Sequence, residues 1–264
     1  MPDLIRLEYR DVTMRFAQSA GPLTAVSGVS IAVRDGEVVS LIGPSGCGKS
    51  TLLNIGSGLT APSEGQAFVD GERVEGPNAH VAFMLQKDLL LPWRTVAENV
   101  MFGVEIQGVA AAERRRRAEA LLENLKLAEF SGHYPHQLSG GMRQRVALAR
   151  TLAVDPTVLL LDEPFSAVDA QTRMVLQREL AQTLKRAGKT ALLITHDLLE
   201  AVTLSDRVLV MSRRPGRIID EIRIDMPHRD DPIARREDTR VGEYAATLMH
   251  RLHIGEAAAV TPTA

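Results

Sequence analysis

The chain has 264 residues, of which 45% are hydrophobic and 24% are charged, which fits one large globular domain or two closely joined lobes. Its formal net charge of -2 provides no basic surplus for neutralising phosphates, and this argues against a general nucleic-acid binder. No apolar run approaches the roughly 18 residues that span a bilayer, and the N-terminal stretch lacks the apolar core of a secretory signal, so we expect the chain to remain in the cytosol.

The first third of the chain combines short apolar runs with turn residues, a pattern typical of β-strands. Strands are predicted within 4–16 and 24–33, and a turn at 34–37 leads into an apolar strand over 38–43. Residues 95–128 change character, because apolar residues recur there at helical spacing among Ala, Leu, Glu and Arg. A helical lobe is therefore predicted in the middle of the chain.

The last part returns to apolar runs, at 157–164 and 190–195, with a helical pattern at 170–187 between them. Apolar strands that are separated by helices predict a parallel sheet buried on both faces.

The C-terminal part begins with a predicted hairpin over 206–225 that turns at Pro215 and Gly216. A polar, proline-containing stretch and one amphipathic segment at 240–253 follow it. The final residues, 256–264, are predicted to be disordered.

The stretch GPSGCGKST, residues 43–51, follows an apolar strand and opens a helical pattern. Its glycines permit a backbone that wraps phosphates with N–H groups, Lys49 can reach the outer phosphates, and the Ser50 hydroxyl can ligate Mg²⁺. A chance glycine-rich turn is the alternative, and the flanking strand and helix argue against it. The predicted ATP-binding residues of this phosphate loop are Gly43, Pro44, Ser45, Gly46, Cys47, Gly48, Lys49, Ser50 and Thr51.

Acidic side chains end the apolar strand in 158–165. Asp162 is placed to hold Mg²⁺ through its water shell, and Glu163 can polarise a water molecule for in-line attack on a γ-phosphate, so hydrolysis is predicted. His196 ends another apolar run and can contact the same phosphate. The alternatives are structural, since two acids can simply cap a strand end and a histidine can be a satisfied polar residue.

A second Ser-Gly-Gly helix start occurs in LSGGMRQRVALAR, residues 138–150, and such a start is also a seat for an anion. The motifs GPSGCGKST, Gln86, LSGGMRQR, VLLLDEP, SAVD and THD follow in this order over 43–197, and this set resembles the ATP-binding subunits of ABC transporters. The resemblance covers about residues 4–225. It implies hydrolysis of ATP with Mg²⁺ on an α/β P-loop NTPase fold with a RecA-like core, an antiparallel β-subdomain and an α-helical subdomain.

The resemblance also implies a division of the chain. The ATPase domain would span 1–235, with the core and β-subdomain at about 1–88 and 150–225 and the helical subdomain at about 89–149. Residues 236–264 would form a C-terminal helical extension and the disordered tail.

Individual roles are carried over by the same resemblance. Phe16 would stack on adenine, and Gln86 would contact Mg²⁺, which Ser50 and Asp162 also hold. Phe16 could instead be a core residue of its strand, and Gln86 a loop residue without a role. The catalytic residues would be Glu163, His196, Gln86 and Lys49. Two copies of the chain would enclose two ATP molecules, each facing four residues of the other copy: Ser139, Gly140, Gly141 and Asp169.

The stretch LLLPWRTVAENV, residues 89–100, lies where the family docks a cytoplasmic helix of its membrane subunit. Leu89, Leu90, Leu91 and Trp93 are therefore the predicted contact for two integral-membrane permease subunits, near 86–93. Trp93 could instead belong to the core of the helical lobe.

The stretches LLPWRTVAENV and RRPGRIIDEIRID resemble one subgroup, the importers of nitrate, sulfonates, taurine and related small anions. In that subgroup the ATPase is a separate chain at the cytoplasmic face of the plasma membrane. It is served indirectly by an extracytoplasmic solute-binding protein, and no nucleic acid is involved.

Other functions use parts of the same pattern. A soluble ABC-type ATPase of nucleic-acid repair or translation would share the nucleotide chemistry, but such proteins usually carry a coiled-coil insert or two ATPase units. A small-molecule kinase would also use the phosphate loop, but the motif LSGGMRQR would then have no role. A binding module without turnover conflicts with the presence of Glu163.

Overall fold

The computed structural model describes residues 4–19, 21–166 and 168–252, and over these residues it contains two β-sheets with helices packed around them. The strands are β1 (Ile5–Phe16), β2 (Leu23–Arg34), β3 (Val38–Ile42), β4 (Glu64–Val69), β5 (Glu72–Arg73), β6 (Val81–Met84), β7 (Val158–Asp162), β8 (Thr190–Ile194), β9 (Arg207–Met211) and β10 (Ile218–Arg223). The helices are α1 (Lys49–Gly56), α2 (Val96–Ile106), α3 (Ala111–Asn124), α4 (Gly140–Ala153), α5 (Ala170–Arg186), α6 (Leu198–Leu204), α7 (Pro232–Glu237) and α8 (Arg240–Arg251).

The larger sheet has six strands in the order β10-β9-β3-β8-β7-β6. Its strands run parallel except for β10, which pairs antiparallel with β9. Successive residues of β7 point to opposite cores: Leu159 and Leu161 pack among the helices, and Val158 and Leu160 pack toward the second sheet. The predicted parallel sheet with two buried faces is confirmed, and the carboxyl ends of its strands meet at one edge.

The smaller sheet has the order β2-β1-β4-β5 and is antiparallel throughout. Its inner face packs against α1 and the larger sheet, and Tyr9 Oη donates a hydrogen bond to Leu52 O of α1 at 2.9 Å. Phe16 at the end of β1 pairs with Leu23 at the start of β2. The predicted antiparallel β-subdomain is therefore confirmed.

The predicted helical lobe consists of α2, α3 and α4, which share one hydrophobic core. Helix α2 starts at a reciprocal cap, in which Thr95 Oγ1 accepts from the Glu98 N–H and the Glu98 carboxylate accepts from the Thr95 N–H. Gly108, with a φ of 73°, separates α2 from α3. Helix α4 continues to Ala153, past the expected subdomain limit at 149, and the division into subdomains remains a prediction.

The C-terminal part forms the predicted hairpin from β9 and β10, and α8 occupies most of the predicted amphipathic segment. Helix α8 packs its apolar side against α6 and β9. Helix α7 was not predicted, although its start has a recognisable signal: Pro232 is its first residue and Asp231 accepts hydrogen bonds from backbone N–H groups of its first turn. The tail at 256–264 lies outside the described residues.

Among the helices of the described ranges, none is both long enough and apolar enough to cross a membrane.

Candidate nucleotide-binding site

The phosphate loop connects the buried strand β3 to helix α1. Two of its glycines leave no room for a side chain, since a Cβ would lie 2.9 Å from Met211 Cβ at Gly43 and 2.4 Å from Val26 Cγ1 at Gly48. Gly48 also has a φ of 105°, in the left-handed region that favours glycine. This packing holds the loop at the N-terminus of α1, where backbone N–H groups stabilise an anion.

Lys49 bends back across the loop. Its Nζ donates hydrogen bonds to Gly43 O at 2.8 Å and to Pro44 O at 3.0 Å, which holds the ammonium group over the loop. Cys47 is buried, and its Sγ lies 3.8 Å from Lys49 Nζ. The thiol is therefore covered, and Cys47 contributes to the loop through its backbone.

A cavity of about 390 Å³ opens beside the loop. Phe16, which is 40% exposed, lies on its wall, so the alternative that this ring is a core residue is wrong. Of the predicted loop residues, Gly43, Pro44 and Cys47 are not on the wall. The wall is formed by residues of β1, β2, β7 and β8, the phosphate loop with the start of α1, and three other turns: Phe16, Leu23, Ala25, Ser45, Gly46, Gly48, Lys49, Ser50, Thr51, Gln86, Asp162, Glu163, Ile194 and Arg214.

Predicted catalytic side chains from separate segments meet at Glu163. Gln86 Nε2 donates to Glu163 Oε2 at 3.0 Å, and His196 Nδ1 lies 3.3 Å from the same oxygen. Glu163 has a φ of 47°, a left-handed conformation that costs free energy for any residue with a Cβ and is common at functional sites. Its N–H donates to Ile194 O at 2.9 Å, which attaches this strained turn to the end of β8.

Asp162 ends β7 and is buried beside Ser50. Burial raises the pKa of this carboxyl and the charge of Glu163 acts in the same direction, whereas a hydrogen bond with Ser50 and the charge of Lys49 lower it. Carboxylate, hydroxyl and amide oxygens are the ligands that Mg²⁺ prefers, so Asp162, Ser50 and Gln86 fit this ion.

The remaining Mg²⁺ ligands would come from phosphate and water. Within the described residues, no group of three or more His, Cys, Asp and Glu side chains could hold a metal ion. Such sparse protein ligation is usual for Mg²⁺ at phosphate sites.

The second Ser-Gly-Gly segment starts helix α4. Ser139 caps this helix, and Asp169 caps α5. A Cβ on Gly141 would lie 3.3 Å from both Val168 Cγ1 and Thr172 Cγ2, so the two helix starts pack against each other. In the described part of the chain, none of the residues predicted to face a second ATP lies on the 390 Å³ cavity: Ser139, Gly140, Gly141 and Asp169. The predicted second anion seat therefore lies outside the cavity beside the phosphate loop.

The segment between β6 and α2 exposes apolar side chains, with exposed fractions of 37% for Leu85, 53% for Leu89 and 71% for Trp93. These three residues are called the apolar patch below. The alternative that Trp93 belongs to the core is wrong. The prediction for Leu90 is also wrong, because Leu90 is buried and packs into the helical core, while Leu91 is half-buried.

Arginines of α4 bind the segment that carries the apolar patch. Arg143 Nε donates to Asp88 Oδ2 at 2.9 Å. Arg150 donates to Leu89 O at 2.8 Å and to Asp88 O at 2.7 Å. Since Ser139 caps α4, one helix connects the predicted second anion seat to the segment that carries the patch.

Two further residues make contacts that the sequence did not predict. Gln144 is buried, and its Nε2 donates to Pro164 O at 2.7 Å, which joins α4 to the segment after β7. Arg173 Nη2 donates to Val168 O at 3.2 Å, and its Nη1 lies 3.7 Å from Asp197 Oδ2. A glutamine in an apolar row of α4 was a usable signal for Gln144, whereas nothing near Arg173 in the sequence indicates its contacts.

Replacing Gln144 with alanine is expected to lower the free energy of unfolding by about 1–3 kcal/mol, because Pro164 O loses its buried donor. Urea unfolding measures this loss. Gln107→Ala is the matched control, since Gln107 Nε2 donates to Val154 O at 3.2 Å at an exposed position, and its change should stay within about 0.5 kcal/mol. Equal losses in the two variants would contradict the prediction.

The family model described as ABC transporter matches residues 26–166. An uncharacterized ABC transporter ATP-binding protein of Methanocaldococcus jannaschii is 45% identical over 222 residues, which cover 84% of this chain and 83% of that protein. The taurine import ATP-binding protein TauB of Burkholderia pseudomallei is 43% identical over 253 residues, which cover 94% of this chain and 97% of that protein.

Solved structures agree with this family match. The dimeric bacterial ABC transporter cassette MJ0796 has a TM-score of 0.77 and 31% sequence identity, and the similarity covers 83% of this chain and 99% of that one. The same cassette in a post-hydrolysis state bound to ADP and Pi has a TM-score of 0.76. The predicted P-loop NTPase fold is confirmed. The chain belongs to the ABC transporter family, and it is an ATP-binding subunit with ATPase activity.

Proposed function

We propose that the chain hydrolyses ATP to drive the import of a small anion, of the nitrate, sulfonate or taurine class, through a separate membrane permease. The apolar patch carries this proposal, because Leu85, Leu89 and Trp93 are exposed on either side of Gln86 in sequence, and Arg150 of α4 binds the Leu89 carbonyl. An apolar patch on a soluble surface is typical of a protein-binding site. The names of relatives that import taurine support the class of solute.

The chain would work at the cytoplasmic face of the plasma membrane. Two permease subunits would contact the two copies of the patch, and an extracytoplasmic solute-binding protein would deliver the solute to the permease. The chain itself would not touch the solute or any nucleic acid.

ATP would occupy the 390 Å³ cavity. Phe16 would stack on adenine, the N–H groups of the phosphate loop would surround the phosphates, and Lys49 would reach the outer phosphates. Mg²⁺, held by Ser50, Gln86 and Asp162, would supply positive charge to the phosphate chain.

Hydrolysis would proceed by in-line attack of water on the γ-phosphorus. The water oxygen bonds to phosphorus, the bond from phosphorus to the β–γ bridging oxygen breaks, and the water proton passes to the Glu163 carboxylate, leaving ADP and phosphate. Gln86 and His196 contact Glu163 Oε2 and would hold the carboxylate in place.

Two copies of the chain would pair around a twofold axis, so that the second anion seat of each copy faces the cavity of the other. Ser139, Gly140, Gly141 and Asp169 would then contact the γ-phosphate side of the partner's ATP, and ATP would favour the dimer. The separation of this seat from the chain's own cavity supports the arrangement, as does the dimer of the similar cassette.

Gentle extraction of tagged protein from membranes of its host, followed by purification, tests the proposal. A many-spanning permease in equal ratio is the expected companion, and its solute-binding protein can then be screened against nitrate, taurine and other sulfonates. A purely cytosolic protein without a membrane partner would overturn the proposal.

Trp93→Ala is expected to reduce the amount of permease that co-purifies by at least about tenfold, because a large exposed aromatic ring in an apolar patch is a typical binding hot spot. The ATP affinity of the free chain should not change, since Trp93 does not line the cavity. Ile106→Ala is the control: Ile106 is 72% exposed at the end of α2, outside the patch. Similar losses of permease in both variants would contradict a specific role for the patch.

A further inference from the structure

The turn between β9 and β10 sits directly on the phosphate loop. Gly216 N donates to Ala25 O at 2.9 Å, and Ser27 N donates to Gly216 O at 3.0 Å, so backbone bonds attach the turn to β2. Gly216 is buried, and a Cβ on it would lie 2.0 Å from Cys47 O. No side chain fits between this turn and the loop, and the position of the turn is therefore fixed relative to the phosphate seat.

Arg214 projects from this turn onto the loop. Its Nε and Nη2 donate to Gly46 O at 3.0 Å and 2.7 Å. A Cβ on Gly46 would lie 3.0 Å from Arg214 Nη2, so glycine at this position leaves the room that the guanidinium occupies. The arginine reaches its partner across 168 residues of sequence.

Arg214 has no ion-pair partner among the described residues. Neither of its two contacts is with a carboxylate. A guanidinium has five N–H donors, and these contacts use two of them. Arg214 is exposed, and it lines the same cavity as Lys49.

The cavity wall carries two cationic side chains, Lys49 and Arg214, against the carboxylates of Asp162 and Glu163. Lys49 is held on two loop carbonyl oxygens, whereas Arg214 keeps three N–H donors available. Planar guanidinium groups match phosphate oxygens in geometry and charge. A nucleotide phosphate chain in this cavity would supply the counter-charge that Arg214 lacks.

We propose that Arg214 is a nucleotide-binding residue, which attracts the phosphate chain through its charge while it holds the phosphate loop at Gly46. This inference rests on the proposed placement of ATP in the cavity. It adds a phosphate-recognising side chain from the turn between β9 and β10 to those that the loop itself provides.

Calorimetric titration of the full chain with ATP, ADP and AMP tests the proposal in four variants. Arg214→Gln, which removes the charge and keeps hydrogen-bond donors, should weaken ATP binding by about tenfold, with a smaller loss for AMP because AMP carries fewer phosphate charges. Arg214→Lys should retain most of the affinity. Arg217→Gln should bind as the parent does, since Arg217 lies in the same turn but donates to Ser27 Oγ at 3.2 Å and does not line the cavity.

Lys49→Ala separates this inference from the proposed function. If Lys49→Ala loses ATP binding while Arg214→Gln keeps it, the cavity is the ATP site and the role of Arg214 is overturned. Equal losses of ATP, ADP and AMP in Arg214→Gln and Arg214→Lys would also overturn it, because they would indicate a role in loop shape alone. If Lys49→Ala keeps the affinity of the parent, the placement of ATP in the cavity fails instead.

Discussion

Replacing Glu163 with glutamine is expected to reduce ATP turnover by about 10²- to 10⁴-fold, the usual contribution of a positioned general base. The carboxylate oxygen Oε2 is the atom that both Gln86 and His196 approach, at 3.0 Å and 3.3 Å. Glutamine has nearly the same shape as glutamate but cannot take a proton from water. ATP binding should persist, because the phosphate loop and Lys49 are unchanged.

The same variant should accumulate as a dimer. If ATP lies between two copies and hydrolysis separates them, slow hydrolysis preserves the ligand that favours the dimer. Turnover is measured on the complex with its permease, and mass is measured by light scattering in ATP and Mg²⁺. Glu243→Gln, an exposed change on α8, is the control and should behave as the parent does. Turnover of Glu163→Gln within tenfold of the parent would count against this role. So would a single copy of the variant chain, by light scattering in ATP and Mg²⁺, where two copies are expected.

Many residues of the cavity wall could be predicted because they belong to motifs that are local in sequence. The phosphate loop is recognisable from adjacent residues alone, because a strand is followed by glycines, lysine and serine. Asp162 and Glu163 are recognisable in the same way, because they directly follow the apolar residues of a strand. The sheet order brings these segments together, since β3, β8 and β7 are neighbours whose carboxyl ends share one edge.

Other parts of the site depend on contacts that no local pattern indicates. Arg214 and Gly46 are 168 residues apart, and Gln144 and Pro164 belong to different elements. Burial was equally hard to assign in the stretch 89–93, where Leu90 turns into the core and Trp93 stays exposed. Consecutive apolar residues in a loop have no period, so only the packing around them decides which ones face solvent.

Replacing Glu200 with glutamine is expected to change how stability depends on pH. Glu200 is 4% exposed on α6, and its Oε1 has no hydrogen-bond partner among the described residues. Burial raises the pKa of this carboxyl to about 8, with the charge of Asp197 acting in the same direction, while Thr195, Arg173 and Gln177 lower it. The group is therefore largely protonated at neutral pH in the folded chain.

The side chains around Glu200 do not compensate its charge. Gln177 Nε2 donates to Glu200 Oε2 at 3.3 Å, and Gln177 Oε1 accepts from Arg236 Nη2 at 3.1 Å. The guanidinium of Arg236 therefore bonds to the glutamine that lies between it and the Glu200 carboxyl. Arg173 lies nearer to Asp197, and its Nε is buried without a hydrogen-bond partner among the described residues. Ionised Glu200 would be a poorly paired buried charge, which is unfavourable.

The pKa of this carboxyl is higher in the folded chain than the ordinary value of 4.5. Its protonated form stabilises the fold fully below that ordinary value, and this stabilisation is lost as the pH rises toward about 8. Urea unfolding should show the parent losing about 2–4 kcal/mol more than Glu200→Gln between pH 5 and pH 8.5, because each pKa unit corresponds to about 1.4 kcal/mol.

Glu119→Gln, an exposed change on α3, is the control and should follow the parent at every pH. If the free energies of unfolding of the parent and of Glu200→Gln changed equally with pH, the raised pKa of Glu200 would be contradicted. Glu200 lines a small cavity together with Glu163 and His196, and its hydrogen-bond partner there is Gln177, not either of these two residues. Since glutamine reproduces the neutral carboxyl in shape and hydrogen bonding, Glu200→Gln should keep its ATPase activity at neutral pH and hold it to a higher pH than the parent does.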